Sequence, residues 1–215
     1  MIKLEKTSVM NMDNAIRGMR NPMNSWDKSD SYSTHIENQK TLNTAEFAFF
    51  MGENDMMLAR KLARAGSDDR KFMRQIFVSV DITAPLYWWK EYDTYKVGTV
   101  ANSTSTMHKI HAKPFVREDF SCERMSGVGL ACLDEVISVL EDRRVEFCAT
   151  GDPMYWNDMI QLLPSSYNQM RTCTMNYENL VNMYHARKNH KLPEWHVFCD
   201  WIKDLPYSEI ITGLS

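Results

Sequence analysis

Residues 163–187 read LPSSYNQMRTCTMNYENLVNMYHAR, and the fold turns on how this stretch divides. Leu163-Pro164 stops whatever precedes it, because a proline pushes the residue before it out of the helical region. Tyr167 to Met175 is rich in Thr, Tyr and Met and short enough for a strand. Asn176 is a good helix N-cap, and Glu178 in the first turn suits the helix dipole. Beyond it Asn176, Leu180, Met183 and Arg187 recur at i, i+4, i+7 and i+11, one face of a helix. The reading is strand, cap, helix. The face is about 16 Å long at 1.5 Å per residue, enough to wall an extended ligand. A core helix whose last arginine snorkels to water has the same pattern.

Working upstream, Ile76 to Ile82 (IFVSVDI) is a β-branched strand, and Ala84-Pro85 opens a short aromatic helix, PLYWWKEYDTYK. Val97 to Thr106 is small and hydroxylated, able to approach a ligand closely and to bond phosphate oxygens. Gly127 to Leu140 carries Leu130, Leu133, Val136 and Leu140 at helical spacing, and Asp152-Pro153 starts a helix to Leu163. Near the start, Met1 to Met12 reads as a strand and Ala15 to Arg20 as a short helix ended by Asn21-Pro22. Asn54 caps a helix over Asp55 to Ala65 with Leu58, Leu62 and Ala65 inward and Gly66 at its stop. Residues 24–44 are polar throughout and read as a long inserted loop. Downstream, Pro193 to Leu205 is a helix with Trp195, Phe198, Trp201 and Ile202 on one side. Together these give an α+β class: one domain over 1–215, a mixed or antiparallel sheet flanked by helices.

The chain of 215 residues is 44% hydrophobic with a net charge of −3. That balance argues against nonspecific nucleic-acid binding through a basic surface. No run approaches the ~18 apolar residues of a membrane span, and no apolar signal core opens the sequence, so a cytoplasmic location is expected. The five cysteines are widely and irregularly spaced, which fits reduced thiols better than a disulfide framework. His185, His190, His196 and Cys199 match no zinc spacing, nor do His108 and His111, so no metal is expected.

The spacing within 163–187 also carries a resemblance. Leu-Pro, nine residues, Thr-x-Asn, three residues, Leu-x-Asn, four residues, Arg resembles the C-terminal signature of the flavin-dependent thymidylate synthases. That family reductively methylates dUMP to dTMP: reduced FAD supplies the hydride, methylenetetrahydrofolate the carbon, and NADPH the reducing power. Its members are homotetramers whose sites are shared between subunits. The resemblance implies the family fold, FAD, dUMP or a related pyrimidine nucleotide, and a homotetramer for this chain.

It also implies roles for residues. Arg187 holds and polarises the uracil, and Asn176 and Asn182 lie against the flavin. A second family signature, Arg-His-Arg followed at seven or eight residues by Ser, lies downstream of an Ala-Pro. Aligned on Ala84-Pro85, the triplet falls on Thr94, Tyr95 and Lys96, and the longer gap reaches Ser105. Arg187 and Ser105 thereby become the catalytic candidates, and Gln75 and Tyr95 join Asn176 and Asn182 as flavin contacts. Glu91, Lys96, Ser103, Ser105, Arg171 and Arg187 are the nucleotide contacts, with Lys109 next in line for a phosphate. The family's flavin-facing Arg two residues after the first Asn falls on Glu178, a reversal of charge. An alternative implied by these losses is a catalytically inactive or repurposed nucleotide- or flavin-binding protein of the same fold.

Overall fold

The computed structural model describes residues 2–36 and 46–213. In chain order the elements are β1 (Lys3–Met10), α1 (Met12–Gly18), β2 (Tyr32–Ile36), β3 (Glu46–Phe50), α2 (Glu53–Ala65), β4 (Phe77–Pro85) and α3 (Leu86–Tyr92). Then come β5 (Val100–Ser103), α4 (Gly127–Thr150), α5 (Pro153–Leu162), β6 (Asn168–Asn176), α6 (Tyr177–Arg187), α7 (Pro193–Lys203) and α8 (Glu209–Thr212). Strand order β1-β4-β6-β5 makes one sheet, and β2 pairs with β3 in an antiparallel hairpin that sets Tyr32 opposite Phe50. The α+β class read from the sequence is the class found.

Contacts divide the chain into two compact units. The first comprises Met1–Glu5, Val80–Lys96 and Ala101–Cys173. Its core gathers Ile110, Phe115, Phe120, Leu133, Leu140 and Met159. Beside these, α3 buries an aromatic cluster in which the Trp88 and Trp89 rings meet edge to face at 5.0 Å. Helix α4 runs ten residues past Leu140, to Thr150, and buries only Leu133 and Leu140 fully. Pro85 stands at the N-cap of α3 rather than inside it, because β4 continues through Pro85.

The second unit comprises Lys6–Ser79, Val97–Val100 and Thr174–Ser215. Trp195, Phe198, Tyr177, Ile16 and Met73 are wholly buried there. Burying each such side chain is worth about 1.5–3 kcal/mol. Helix α2 departs from its expected face: Asp55 and Ala59 are its buried residues, while Ala65 is exposed. Nor does Asn54 cap it. The Asp30 carboxylate instead accepts the backbone N–H groups of Asn54 (2.9 Å) and Asp55 (3.1 Å), and a Cβ at Gly52 would fall on that carboxyl. Asp55 has Arg20 as its ion partner at 2.5 Å, with the two side chains 0% and 4% exposed. Its second oxygen accepts Ser29 Oγ (2.7 Å), Ser31 Oγ (2.6 Å) and two backbone N–H groups. The charge pattern of 24–36 therefore makes it an anchored segment ending in strand β2. The remainder of the expected insertion, 37–44, lies outside the described residues.

Replacing Asp55 with Asn leaves the Arg20 guanidinium buried without its counter-charge. The expected loss is about 3–5 kcal/mol of unfolding free energy in urea. Burial pushes the Asp55 carboxyl up, but hydrogen bonds from Ser31, Ser29 and Arg20 outweigh it and hold it below the ordinary 3.8. A lowered folded-state pKa gives stability that is complete above the unfolded value and is lost as pH falls through the folded one. The gap between wild type and Asp55→Asn should therefore narrow on going from about pH 6 to about pH 3. A constant gap contradicts this account.

Candidate functional site

Strand β6 enters α6 through Asn176, in the extended conformation an N-cap requires. Its Oδ1 accepts the Asn179 N–H at 2.9 Å, and Asn179 Oδ1 accepts the Asn176 N–H at 3.1 Å. This reciprocal capping box satisfies two helix-end donors at once. The Asn179 amide also donates to the Val97 carbonyl at 2.7 Å, so the 97–100 turn is tied to the start of α6. Gly98 lies in that turn at φ +78, and a Cβ there would come within 3.0 Å of Asn176 Nδ2 and 3.1 Å of Asn179 Oδ1. Asn179 escaped the sequence reading. The signal was present as Asn-x-x-Asn, an amide variant of the capping-box pattern.

The expected face of α6 forms as read: Asn176, Leu180 and Met183 are buried and Arg187 is half-buried. The Arg187 guanidinium lies over the Trp195 ring, 4.9 Å from its centroid. Asn182 is exposed, and its Oδ1 receives Arg70 Nη2 at 3.5 Å. Glu178 is the hub of a charge cluster: Arg70 Nε donates to it at 3.2 Å, and Arg74 holds it through Nε and Nη2. Burial pushes the Glu178 carboxyl up, and the hydrogen bonds and charges of Arg74 and Arg70 bring it below the usual carboxylate range. The reversal of charge at 178 thus comes with two guanidiniums from the turn Arg70–Gln75. Gln75 is exposed at the end of that turn, where its carbonyl accepts Asn11 Nδ2 at 2.9 Å.

In the first unit Arg171 has several partners. Its guanidinium lies 4.1 Å from the Trp89 ring centroid, donates to Asp93 at 2.7 Å and to Gln169 Oε1 at 3.0 Å. Gln169 is buried and passes its own amide N–H to the Thr104 carbonyl at 2.7 Å. Thr104 in turn donates its N–H to Met170 at 2.9 Å. Arg171 therefore acts as a clamp behind the 104–105 backbone, a role its sequence position beside a strand did not reveal. Ser105 follows on the surface, its Oγ accepting the His108 N–H at 2.9 Å and the Met107 N–H at 3.3 Å. Its hydroxyl proton remains for another acceptor.

Thr104 and Ser105 line an open cavity of about 910 Å³ together with Lys3, Lys109, Tyr167 and Asn168. That size suits a small-molecule site. Lys113 and Arg117, also on its wall, are answered by Asp119 and Asp134. Of the other expected contacts, Ser103 (on β5) and Lys96 are exposed, and Glu91 and Tyr95 are half-buried at and just beyond the end of α3. None of these four lines the cavity with Ser105. The five cysteines carry free thiols. Burial pushes Cys173 up to about 11 and Cys199 up to about 11, so both are protonated, inert fillers at neutral pH. Among the described residues no helix is long and apolar enough to cross a membrane.

No family model matches the sequence, and no curated protein does. Solved structures do match. The chain is similar to thymidylate synthase X from Helicobacter pylori crystallised with FAD and dUMP: TM-score 0.68, 14% identity, over 99% of this chain and 97% of that one. A second structure of the flavin-dependent thymidylate synthase from that organism, also with FAD and dUMP, gives 0.68 at 13% identity over 98% and 97%. The UMP/dUMP methylase PolB from Streptomyces cacaoi, bound with 5-Br dUMP, gives 0.64 at 14% identity over 99% and 95%. The chain has the fold of these enzymes along nearly its whole length.

The junction between β6 and α6 is open to test. Gly98→Ala forces a left-handed conformation on a residue with a Cβ, costing about 1–2 kcal/mol, and presses on both capping amides. A fall in melting temperature is expected, whereas Gly127→Ala, where a Cβ meets nothing within 4 Å, should be neutral. Equal effects of the two would contradict the close approach at Gly98.

Proposed function

We propose that this protein is a divergent flavin-dependent thymidylate synthase, methylating dUMP to dTMP with FAD and methylenetetrahydrofolate, and NADPH as reductant. The observation that carries the reading is the junction of β6 and α6. The residues matching the family signature stand there as cap and helix face, in a chain that matches structures holding FAD and dUMP from end to end. Coverage of that extent leaves little of either chain outside the comparison. The likeness to a UMP/dUMP methylase supports a pyrimidine nucleotide as the substrate class.

The amides fit a flavin. Its ring carries carbonyl acceptors and a ring N–H. Asn176 Nδ2 takes part in none of the capping bonds, and Asn182 presents an exposed amide. Asn176 and Asn182 would hold the ring, which supplies a hydride when reduced and bound. The chain's own residues do the rest. Arg187, over the Trp195 ring, faces the pyrimidine carbonyl and favours the enolate-like charge that develops there. Ser105 and Lys109, on one cavity wall of the first unit, offer a hydroxyl and an ammonium to a phosphate, and the Arg171 clamp keeps Ser105 in place. Four chains would assemble, which the exposed Val128, Val139 and Val145 of α4 support. A light-scattering mass near four times 25.1 kDa is expected, and a single-chain mass would contradict the tetramer.

A second reading, binding without turnover, is favoured by one feature. Thr94, Tyr95 and Lys96 stand where the family has Arg-His-Arg, and the arginines near Glu178 are already neutralised. Mass spectrometry of the nucleotide separates the two. With FAD, NADPH and methylenetetrahydrofolate, dUMP should gain one methyl group; binding with no gain selects the second reading. Arg187→Lys keeps a cation above Trp195 but loses the planar, two-pronged contact. Nucleotide affinity should fall about tenfold, as for one lost charge-assisted bond, at unchanged melting temperature and flavin content. Wild-type affinity would remove Arg187 from the site.

A further inference from the structure

A second pocket, of about 280 Å³, opens in the other unit between α2, α6 and α8. Arg60, Arg64, Arg70 and His185 line it, and Glu209 is the one acidic residue among the described residues of its wall. Glu209 reaches Arg60 Nη2 at 3.4 Å, and Arg70 is turned to Glu178. Arg60 and Arg64 stand one turn apart on the same face of α2, an arrangement in which like charges repel. Arg64 in the last turn is accounted for by the helix dipole. Arg60 is not so easily explained. Its Nε–H is buried and meets no acceptor among the described residues, and a buried donor without a partner is destabilising. An anion in the pocket would offset the excess of arginine charge, and a turn of the part-exposed Arg60 side chain would bring that donor to it. Burial, with the charges of Lys188 and Arg70, lowers the pKa of His185, so at neutral pH its imidazole is an uncharged hydrogen-bonding wall.

We propose that this pocket is a phosphate-binding site, taking a diphosphate group through Arg60, Arg64 and Arg70. Guanidiniums grip phosphate oxygens through paired, charge-assisted bonds. The volume is at the lower edge of what drug-sized ligands occupy, which suits an anionic group rather than a whole nucleotide. The group could be free inorganic pyrophosphate, or the diphosphate of a nucleotide or flavin dinucleotide whose remainder lies outside the pocket.

Calorimetric titration of the full chain with inorganic pyrophosphate tests the site without any flavin, so it can fail while the methylase reading stands, and the reverse. Saturable binding is expected. It should weaken about tenfold in Arg64→Gln and in Arg60→Gln, with melting temperatures unchanged for the exposed Arg64, and stay as in wild type for Lys61→Gln, which does not line the pocket. Competition by FAD assigns the site to the dinucleotide; competition by ADP alone assigns it to a free nucleotide; competition by neither leaves inorganic pyrophosphate as the occupant. Absence of saturable binding, unchanged affinity in both arginine variants, or an equal loss in Lys61→Gln would overturn the proposal.

Discussion

Two asparagines set the turn on which the rest is hung. Asn176 and Asn179 satisfy one another's backbone donors, and Asn179 has an N–H left over for the Val97 carbonyl. An N-cap is worth about 1 kcal/mol, but its value here is directional. It fixes the angle at which β6 becomes α6, and so which residues of α6 are buried. Leu180 and Met183 turn to the core, and Arg187 arrives at the far end of the same face, its guanidinium over the Trp195 ring. Gly98 is the corollary: the turn can approach the two amides only because that residue has no side chain.

Charge is the second organising theme. Several of the described arginines are answered by carboxylates: Arg70 and Arg74 by Glu178, Arg171 by Asp93, Arg20 by Asp55. Of these pairs Arg20–Asp55 is the one buried on both sides, and such a pair adds little net stability but makes the loss of either partner costly. Such pairing holds side chains in place. Arg171 is the clearest case, since its fork locks Gln169, and Gln169 in turn holds the backbone carbonyl next to Ser105. Cations on cavity walls are placed to meet a ligand. Lys109 is one beside Ser105, and Arg64 another on α2.

What the sequence made legible follows from which signals are local. The run from Leu163 to Arg187 was readable because Asn176 caps, Pro164 stops and the apolar residues of α6 keep their period. Strand β4 was readable from its β-branched alternation. Strand β5 was not: Val-Ala-Asn-Ser has no apolar alternation, and only pairing beside β6 makes it a strand. The burial of Asp55 was not legible, because its partners Arg20, Ser29 and Ser31 are remote in sequence. Asn54 lost the capping role to Asp30 for the same reason. Helix α4 was read ten residues short, since Glu141 to Thr150 lacks an apolar stripe; the bonds from Arg144 to Glu141 and from Phe115 to Glu141 mark the extension. In the site, the residue types were legible and their engagements were not. Arg171 is a nucleotide contact by resemblance, and its place over Trp89 and its bond to Asp93 are long-range contacts that no local pattern signals.

The central claim is that one protein holds a flavin and a pyrimidine nucleotide in productive register. The most direct test is the visible absorbance of the protein loaded with FAD and then titrated with dUMP. Flavin bands that shift saturably with dUMP, at one nucleotide per bound flavin, are the predicted result, because a nucleotide beside the ring changes its surroundings. A protein that binds no FAD, or one whose flavin spectrum is indifferent to saturating dUMP, would contradict the account.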